Sequence, residues 1–282
     1  MNLIGCWWDG VATETVPAQA RGLHYGDGVF RTMLWWDGRI DAREQQLQRL
    51  RQDAQAIAID ARADQLEQAL EGLRVITLPR AAIVKFMVLR GGVARGYAPD
   101  RGATPHLGLF VHEFPLYPAE HWTVGIDLVG LDARLSAHPR LAGIKHCNRL
   151  DQVLATAELQ RKNAVEGLCR GPARGFQCGT RSNLFWLQGL ELKTPAVVDC
   201  GVRGVTRDRI IALARRHGVR IQEVEAPTGD VLRRADGLFV CNSIFGVWPV
   251  KRLDGQPIAG VSGVPSWMQA FPHPGVQLAD AS

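Results

Sequence analysis

The hydrophobic positions of this chain change period several times, and each change marks an element. Through residue 41, short apolar runs alternate with polar residues and break at Asp9-Gly10 and Asp37-Gly38. That is the pattern of strands joined by tight hairpin turns. From Arg43 to Ile57 the spacing lengthens, and Leu47, Leu50, Ala54 and Ile57 fall on one helical face. A second helix carries Leu66, Leu70 and Leu73 and is stopped by Pro79; strands follow at Ala81 to Arg90 and Leu107 to Val111. The stretch from His112 to Glu120 holds Pro115 and Pro118 and no period, which predicts a linker. Strand spacing resumes from Trp122 to Leu131, and Asn148 then caps a helix running to about Lys162. Ser182-Asn183-Leu184-Phe185 enters another strand. Thr206 caps a helix with an apolar face of Ile210, Leu213 and Ala214, ended by Gly218, and a last strand lies at Leu238 to Cys241. Strands outnumber helices, and the order of elements changes at the linker. The expected architecture is therefore a two-domain α+β fold: a small α/β domain over 1–112, a linker over 113–120, and a larger domain over 121–282 that carries Lys145.

Composition narrows the class. A hydrophobic fraction of 46% with 22% charged residues is that of an ordinary soluble globular protein. The 33 basic residues exceed the 28 acidic ones but are dispersed among them, with no aromatic-interleaved basic stripe. That speaks against a nucleic-acid partner and suits a small anionic ligand. None of the six cysteines forms a C-x-x-C pair, so reduced thiols of a cytoplasmic protein are expected, with no metal site. The N-terminus has no basic leader, and no apolar run reaches membrane-spanning length.

Several stretches carry candidate chemistry. In Leu141-Ala142-Gly143-Ile144-Lys145-His146-Cys147-Asn148, one lysine sits at an apolar-to-polar junction. A lysine among apolar neighbours loses its proton readily and can act as a Schiff-base nucleophile. Taken alone, the stretch fits a surface lysine at a helix entrance better. Tyr25-Gly26-Asp27-Gly28 is a turn in which the backbone could approach a ligand, or an ordinary turn between strands. Arg90-Gly91-Gly92-Val93-Ala94-Arg95-Gly96-Tyr97 is a glycine-rich loop with two guanidinium groups able to pair carboxylates, or a solvated loop. Gly201 to Thr206 enters a helix and would present free amides to a phosphate, or is a plain helix entry.

In register, these pieces resemble the fold-type IV pyridoxal-phosphate enzymes, the group of branched-chain aminotransferases and aminodeoxychorismate lyases. The likeness runs from about Trp8 to Asp254 through Tyr25–Phe30, Leu47–Leu50, Arg90–Tyr97, Leu141–Leu154, Ser182–Phe185 and Cys241-Asn242. The resemblance implies that Lys145 forms the Schiff base with pyridoxal 5'-phosphate and then shuttles protons. It implies that Arg49, Val205, Thr206 and Ser243 hold the cofactor phosphate. Thr32 matches a threonine of the lyases, and Tyr25, Arg90, Arg95 and Tyr97 match residues near the substrate. The implied reaction is elimination of pyruvate from 4-amino-4-deoxychorismate to leave 4-aminobenzoate, in a homodimer.

One departure stands out. Where the family places a glutamate against the cofactor's pyridine nitrogen, five residues before Asn183, this chain has Cys178. A neutral thiol is a weak partner for a pyridinium. The substitution leaves three expectations: a lyase with a tuned cofactor, an aminotransferase of the same fold, or a non-catalytic homologue.

Overall fold

The computed structural model describes residues 2–92, 96–100, 102–258 and 271. The chain divides into two units, Met1–Leu116 with Ile144–Asn148, and Tyr117–Gly143 with Arg149–Ser282.

The first unit is built on an antiparallel sheet. Its strands are β1 (Leu3–Trp8), β2 (Val11–Ala12), β3 (Gly28–Trp36), β4 (Arg39–Ile40), β5 (Ala81–Leu89) and β6 (His106–Glu113), in the order β2-β1-β6-β5-β3-β4. A one-turn helix, α1 (Arg21–Tyr25), precedes β3; α2 (Arg43–Ala56) and α3 (Ala63–Leu70) follow β4. Alternation along β3 sets the two faces of the sheet. Val29, Arg31 and Met33 are buried, while Phe30 and Thr32 are half-exposed. The helix face read from the sequence is the one that packs inward, with Leu47, Leu50 and Ala54 buried together with Gln46 and Asp53.

The second unit holds α4 (Glu120–Thr123), β7 (Ile126–Arg134), α5 (Leu150–Arg161), β8 (Glu166–Arg170), β9 (Phe176–Gly179), β10 (Asn183–Gln188) and β11 (Glu191–Pro195). It continues with α6 (Val205–Arg216), β12 (Arg220–Val224), α7 (Gly229–Arg233), β13 (Gly237–Asn242), β14 (Gly246–Leu253) and β15 (Gln256–Pro257). The sheet order is β12-β11-β10-β13-β14-β7-β8-β9, with β15 pairing β14. A core of Trp122, Trp186, Phe245, Trp248 and aliphatic neighbours lies on one side. Phe185, Phe239, Ile210 and Ile211 form a second cluster that seats α6.

Three local expectations change. Trp122 opens no strand: it lies in α4, its ring packs into the second unit's core, and its Nε1–H donates to the Phe245 carbonyl at 2.7 Å. Asn148 caps no helix, because α5 begins at Leu150 behind Arg149, and the Asn148 side chain instead donates to the Gly26 carbonyl at 3.1 Å. Thr206 lies inside the first turn of α6, behind Gly204 at the N-cap.

The division of the chain also differs from the sequence expectation, because Ile144–Asn148 belongs with the first unit rather than with the C-terminal one. The cause is backbone pairing. His146 forms a bridge with Val29, the Phe30 N–H donates to the Lys145 carbonyl at 2.9 Å, and the Cys147 N–H donates to Gly28 at 2.9 Å.

Candidate functional site

In the first unit, Lys145 is half-buried, and both its peptide groups are held. Its carbonyl is taken by Phe30, and its N–H donates to Asp53 Oδ2 at 3.0 Å. The side chain turns back so that Nζ stands 4.6 Å from the centre of the Phe30 ring. Arg49 and Asp53 are four residues apart on α2 and so share a helix face. Burial pushes the Asp53 carboxyl up from its ordinary range, and the charge of Arg31, the Lys145 amide and the charge of Arg49 offset this only in part.

The face of β3 that carries Phe30 also carries Thr32, whose neighbour across the sheet is Lys85 on β5. Lys85 Nζ lies 5.1 Å from the Phe30 ring centre, so two amines flank one aromatic ring. A cation over a ring face is attracted by the ring quadrupole, which helps to fix both amines. Sequence alone does not single out Lys85, although a signal is there: a lysine in an otherwise apolar strand, on the same face as a candidate hydroxyl.

Tyr25 ends α1, and its ring lies 5.5 Å from that of Tyr97, so these two predicted residues do come together. The agent is Arg21, also missed, which donates to the carbonyls of Gly96 and Tyr97 at 3.1 and 3.3 Å. Its Nε donates to Asp27, and its guanidinium lies 5.0 Å from the Tyr25 ring centre.

Arg90 is held within the first unit. Its Nε donates to both Asp27 oxygens, at 3.1 and 2.9 Å, and its Nη atoms donate to the carbonyls of Ala58 and Ile57 at 2.8 and 2.6 Å. With 8% of its surface exposed, it braces the turn before β3. Arg95 lies outside the described residues.

In the second unit, Val205 and Thr206 open α6, and the Thr206 hydroxyl lies 3.3 Å from that of Ser243. Asn183 supports this end: its Nδ2 donates to the Val202 carbonyl at 2.9 Å, and its Oδ1 would meet a Cβ placed on Gly204 at 2.3 Å. A side chain at 204 would have to displace the Asn183 amide. First-turn amides, a positive dipole end and two adjacent hydroxyls together suit a phosphate.

Cys178 sits on β9 opposite Cys169 of β8. It packs with Leu131, Leu135, Ala155, Cys169 and Cys200. Burial pushes its thiol well above the ordinary range, and the thiols of Cys169 and Cys200 add to the shift. It is a neutral thiol. The adjacent Gln177 turns away to donate to the Ala196 carbonyl at 2.8 Å. The acid that organises this region is Glu166, fully buried, which accepts from the Thr180 N–H and hydroxyl and from the Ser182 hydroxyl. It holds the turn between β9 and β10.

Taken separately, the Lys145 amine of the first unit suits an aldehyde, and the α6 entry of the second suits a phosphate. Cys178 does not supply the acid that a protonated pyridine nitrogen needs. A cavity of about 600 Å³ on the first unit, lined by Arg43, Leu47, Gln48, Arg51, Leu66 and Glu67 among others, includes none of these residues. Among the described residues, no helix is long and apolar enough to cross a membrane.

Residues 28–253 match the amino-transferase class IV family, and the chain belongs to it. The fold is accordingly that of a fold-type IV enzyme. The chain is similar to the aminodeoxychorismate lyase of Vibrio harveyi, at 29% identity over 246 residues, 87% of this chain and 90% of that protein. It is similar also to the crystal structure of 4-amino-4-deoxychorismate lyase from Pseudomonas aeruginosa. There the TM-score is 0.83 at 35% identity, over 90% of this chain and 94% of that one. The T.th. branched-chain amino acid aminotransferase complexed with N-(5'-phosphopyridoxyl)-L-glutamate shares the fold. Its TM-score is 0.78 at 21% identity, over 100% of this chain and 93% of that one.

Proposed function

We propose that this protein is a pyridoxal-phosphate-dependent lyase that converts 4-amino-4-deoxychorismate to 4-aminobenzoate and pyruvate. The observation that carries the reading is the face shared by Phe30, Thr32 and Lys85, over which the Lys145 amine is held. A lysine amine, a hydroxyl and a second cation near one another support the reading. The likeness to two lyases supports the same assignment.

Pyridoxal phosphate, when bound, supplies an electron sink. The α6 amides with the Thr206 and Ser243 hydroxyls would hold its phosphate. The Lys145 Nζ takes the proton from the amine-bearing ring carbon of the substrate. Thr32 Oγ1 passes a proton toward the departing enolpyruvyl group. Loss of pyruvate leaves an aromatic ring, so the product's own stability helps to drive the step. That lowers the demand on the electron sink and makes the neutral Cys178 thiol tolerable. Lys85 pairs a substrate carboxylate, in the place first given to Arg90, and Tyr25 and Tyr97 line the approach.

The test has two arms. Purified protein with added pyridoxal phosphate should gain a near-visible absorption band that Lys145→Ala abolishes. It should then release 4-aminobenzoate and pyruvate in equal amounts from aminodeoxychorismate. Exchange of amino groups between an amino acid and a 2-oxo acid, with no 4-aminobenzoate, would establish an aminotransferase instead. Absence of the band from folded protein would leave a non-catalytic homologue. We also propose that the protein acts as a homodimer.

A further inference from the structure

Helix α1 is buried the wrong way round. Its arginine, Arg21, is 3% exposed, while its Leu23 is 64% exposed. A charged side chain is taken out of water at little cost only where its donors find partners. Those of Arg21 do: Nε donates to Asp27 Oδ2 at 2.9 Å, Nη1 to the Gly96 carbonyl at 3.1 Å and Nη2 to the Tyr97 carbonyl at 3.3 Å. Asp27 anchors the arrangement, because the same carboxylate accepts from Arg90, which also donates to the carbonyls of Ala58 and Ile57. One carboxylate thus ties the turn after α1 to the end of α2. Through Arg21 it also holds a segment 75 and 76 positions along the chain.

What the tie holds is a ring. Tyr97 is 88% exposed, so little packing fixes it. Its backbone is held by Arg21, and its ring meets that of Tyr25 at 5.5 Å and 56°. The Arg21 guanidinium also lies 5.0 Å from the Tyr25 ring centre, so a single side chain braces both tyrosines. Ordering an aromatic side chain that stays in water costs entropy with little burial to offset it. Such a ring has a use when something else comes to lie against it. The turn beneath the pair is also the one to which the Lys145 segment is bonded. Its Gly26 carbonyl accepts from the Asn148 side chain at 3.1 Å, and its Gly28 carbonyl accepts from the Cys147 N–H at 2.9 Å.

We propose that Arg21, anchored by Asp27, is the positioning residue that presents the Tyr97 ring to the substrate, and that it sets affinity for a cyclic carboxylate rather than the rate of bond breaking. The affinity half rests on the lyase reading above. The positioning half does not, and its test needs no cofactor.

The chain has three tyrosines, Tyr25, Tyr97 and Tyr117, so protein labelled with 3-fluorotyrosine gives a fluorine spectrum of three sites. Tyr117 packs against Trp122 and Trp248 in the second unit and serves as the internal standard. Arg21→Met keeps an apolar stem beside Tyr25 and removes the donors. It should move the Tyr97 resonance to the position of free tyrosine and shift that of Tyr25, with Tyr117 unmoved. In the loaded enzyme it should raise the KM for aminodeoxychorismate about fivefold, the worth of an aromatic contact, and leave kcat as it was. Tyr97→Ala should raise KM as much, and the double variant no further, because the second change removes what the first displaces. A residue that merely stabilised the fold would lower the melting temperature and leave the Tyr97 resonance and the KM of the folded protein in place. An unmoved Tyr97 resonance would therefore overturn the positioning half; an unchanged KM, or additive effects in the double variant, would overturn the affinity half. Should Arg21→Met fail to fold, Arg21→Lys is read in the same way, since it keeps the charge beside Asp27 but cannot fork to both carbonyls. A wild type that releases no 4-aminobenzoate, yet shows the resonance shifts, would refute the lyase reading and the affinity half with it, and leave Arg21 as the residue that holds Tyr97.

Discussion

At the scale of single residues, the structure separates cations that look alike in sequence. Arg90 and Lys85 lie five apart on and just after one strand, and only Arg90 sits in a suggestive glycine-rich loop. Yet Arg90 donates to Asp27 and two carbonyls, whereas Lys85 stands beside Phe30 on the face with Thr32. Two outcomes follow from the difference. Arg90→Ala leaves the Asp27 carboxylate facing Arg21 alone and strands two carbonyls; breaking a buried pair costs about 3–5 kcal/mol, so it should melt early in denaturant. The folded fraction should keep its substrate KM. Lys85→Met should be nearly neutral to stability and raise KM about tenfold or more, as loss of a charged contact to a carboxylate does. The reverse pattern in denaturant melts and steady-state kinetics would restore Arg90 to the substrate. Sequence could not separate the two, because the carbonyls that consume Arg90 come from Ile57 and Ala58, more than thirty residues away. Arg31 and Asp53 were better signposted, as charges on faces whose period-2 and period-3.6 neighbours are apolar.

Among elements, periodicity served best where one face is buried and the other wet. The α2 face and the strands β5 and β13 lie within a residue or two of the expected bounds. It failed at junctions, where a side chain's partner lies far along the chain: Asn148 answers to Gly26, and Trp122 to Phe245. The α6 entry shows both outcomes. Its glycine-rich approach was visible, but the Thr206 hydroxyl is directed to Ser243 and not to a cap, a contact across 37 positions. The phosphate role of this turn has its own test. Thr206→Val keeps the shape and removes the hydroxyl, and should weaken pyridoxal phosphate binding roughly tenfold, the worth of one hydrogen bond to a charged group. Gly204→Ala should weaken it more, since the added methyl displaces Asn183 and with it the Val202 carbonyl. Equilibrium titration of the absorption band reads both. Equal affinity in all three proteins would move the phosphate elsewhere.

For the whole molecule, the exposed surface carries one more instruction. Along α5, Leu150, Val153 and Leu154 are 75%, 58% and 67% exposed, at the i, i+3 and i+4 spacing of a helix face. Ala155 and Leu159 of the same helix are buried. An apolar face and a second, exposed apolar stripe on one helix is the pattern of an element that packs twice, once in its own unit and once against a partner. A second copy of the chain is the simplest occupant, because a twofold axis lets one stripe meet its own image and needs no separate complementary surface. The sequence already held this stripe, but as part of a helix start dominated by Lys145 and Asn148, and only the burial of Ala155 and Leu159 shows that the remaining apolar positions are left over. Light scattering of the purified protein at micromolar concentration should accordingly give twice the chain mass. Val153→Glu with Leu154→Glu places like charges across the axis and should yield a folded monomer, with the near-ultraviolet spectrum of its core tryptophans intact. A monomeric wild type, or a dimer indifferent to two glutamates, would show that α5 serves some other contact.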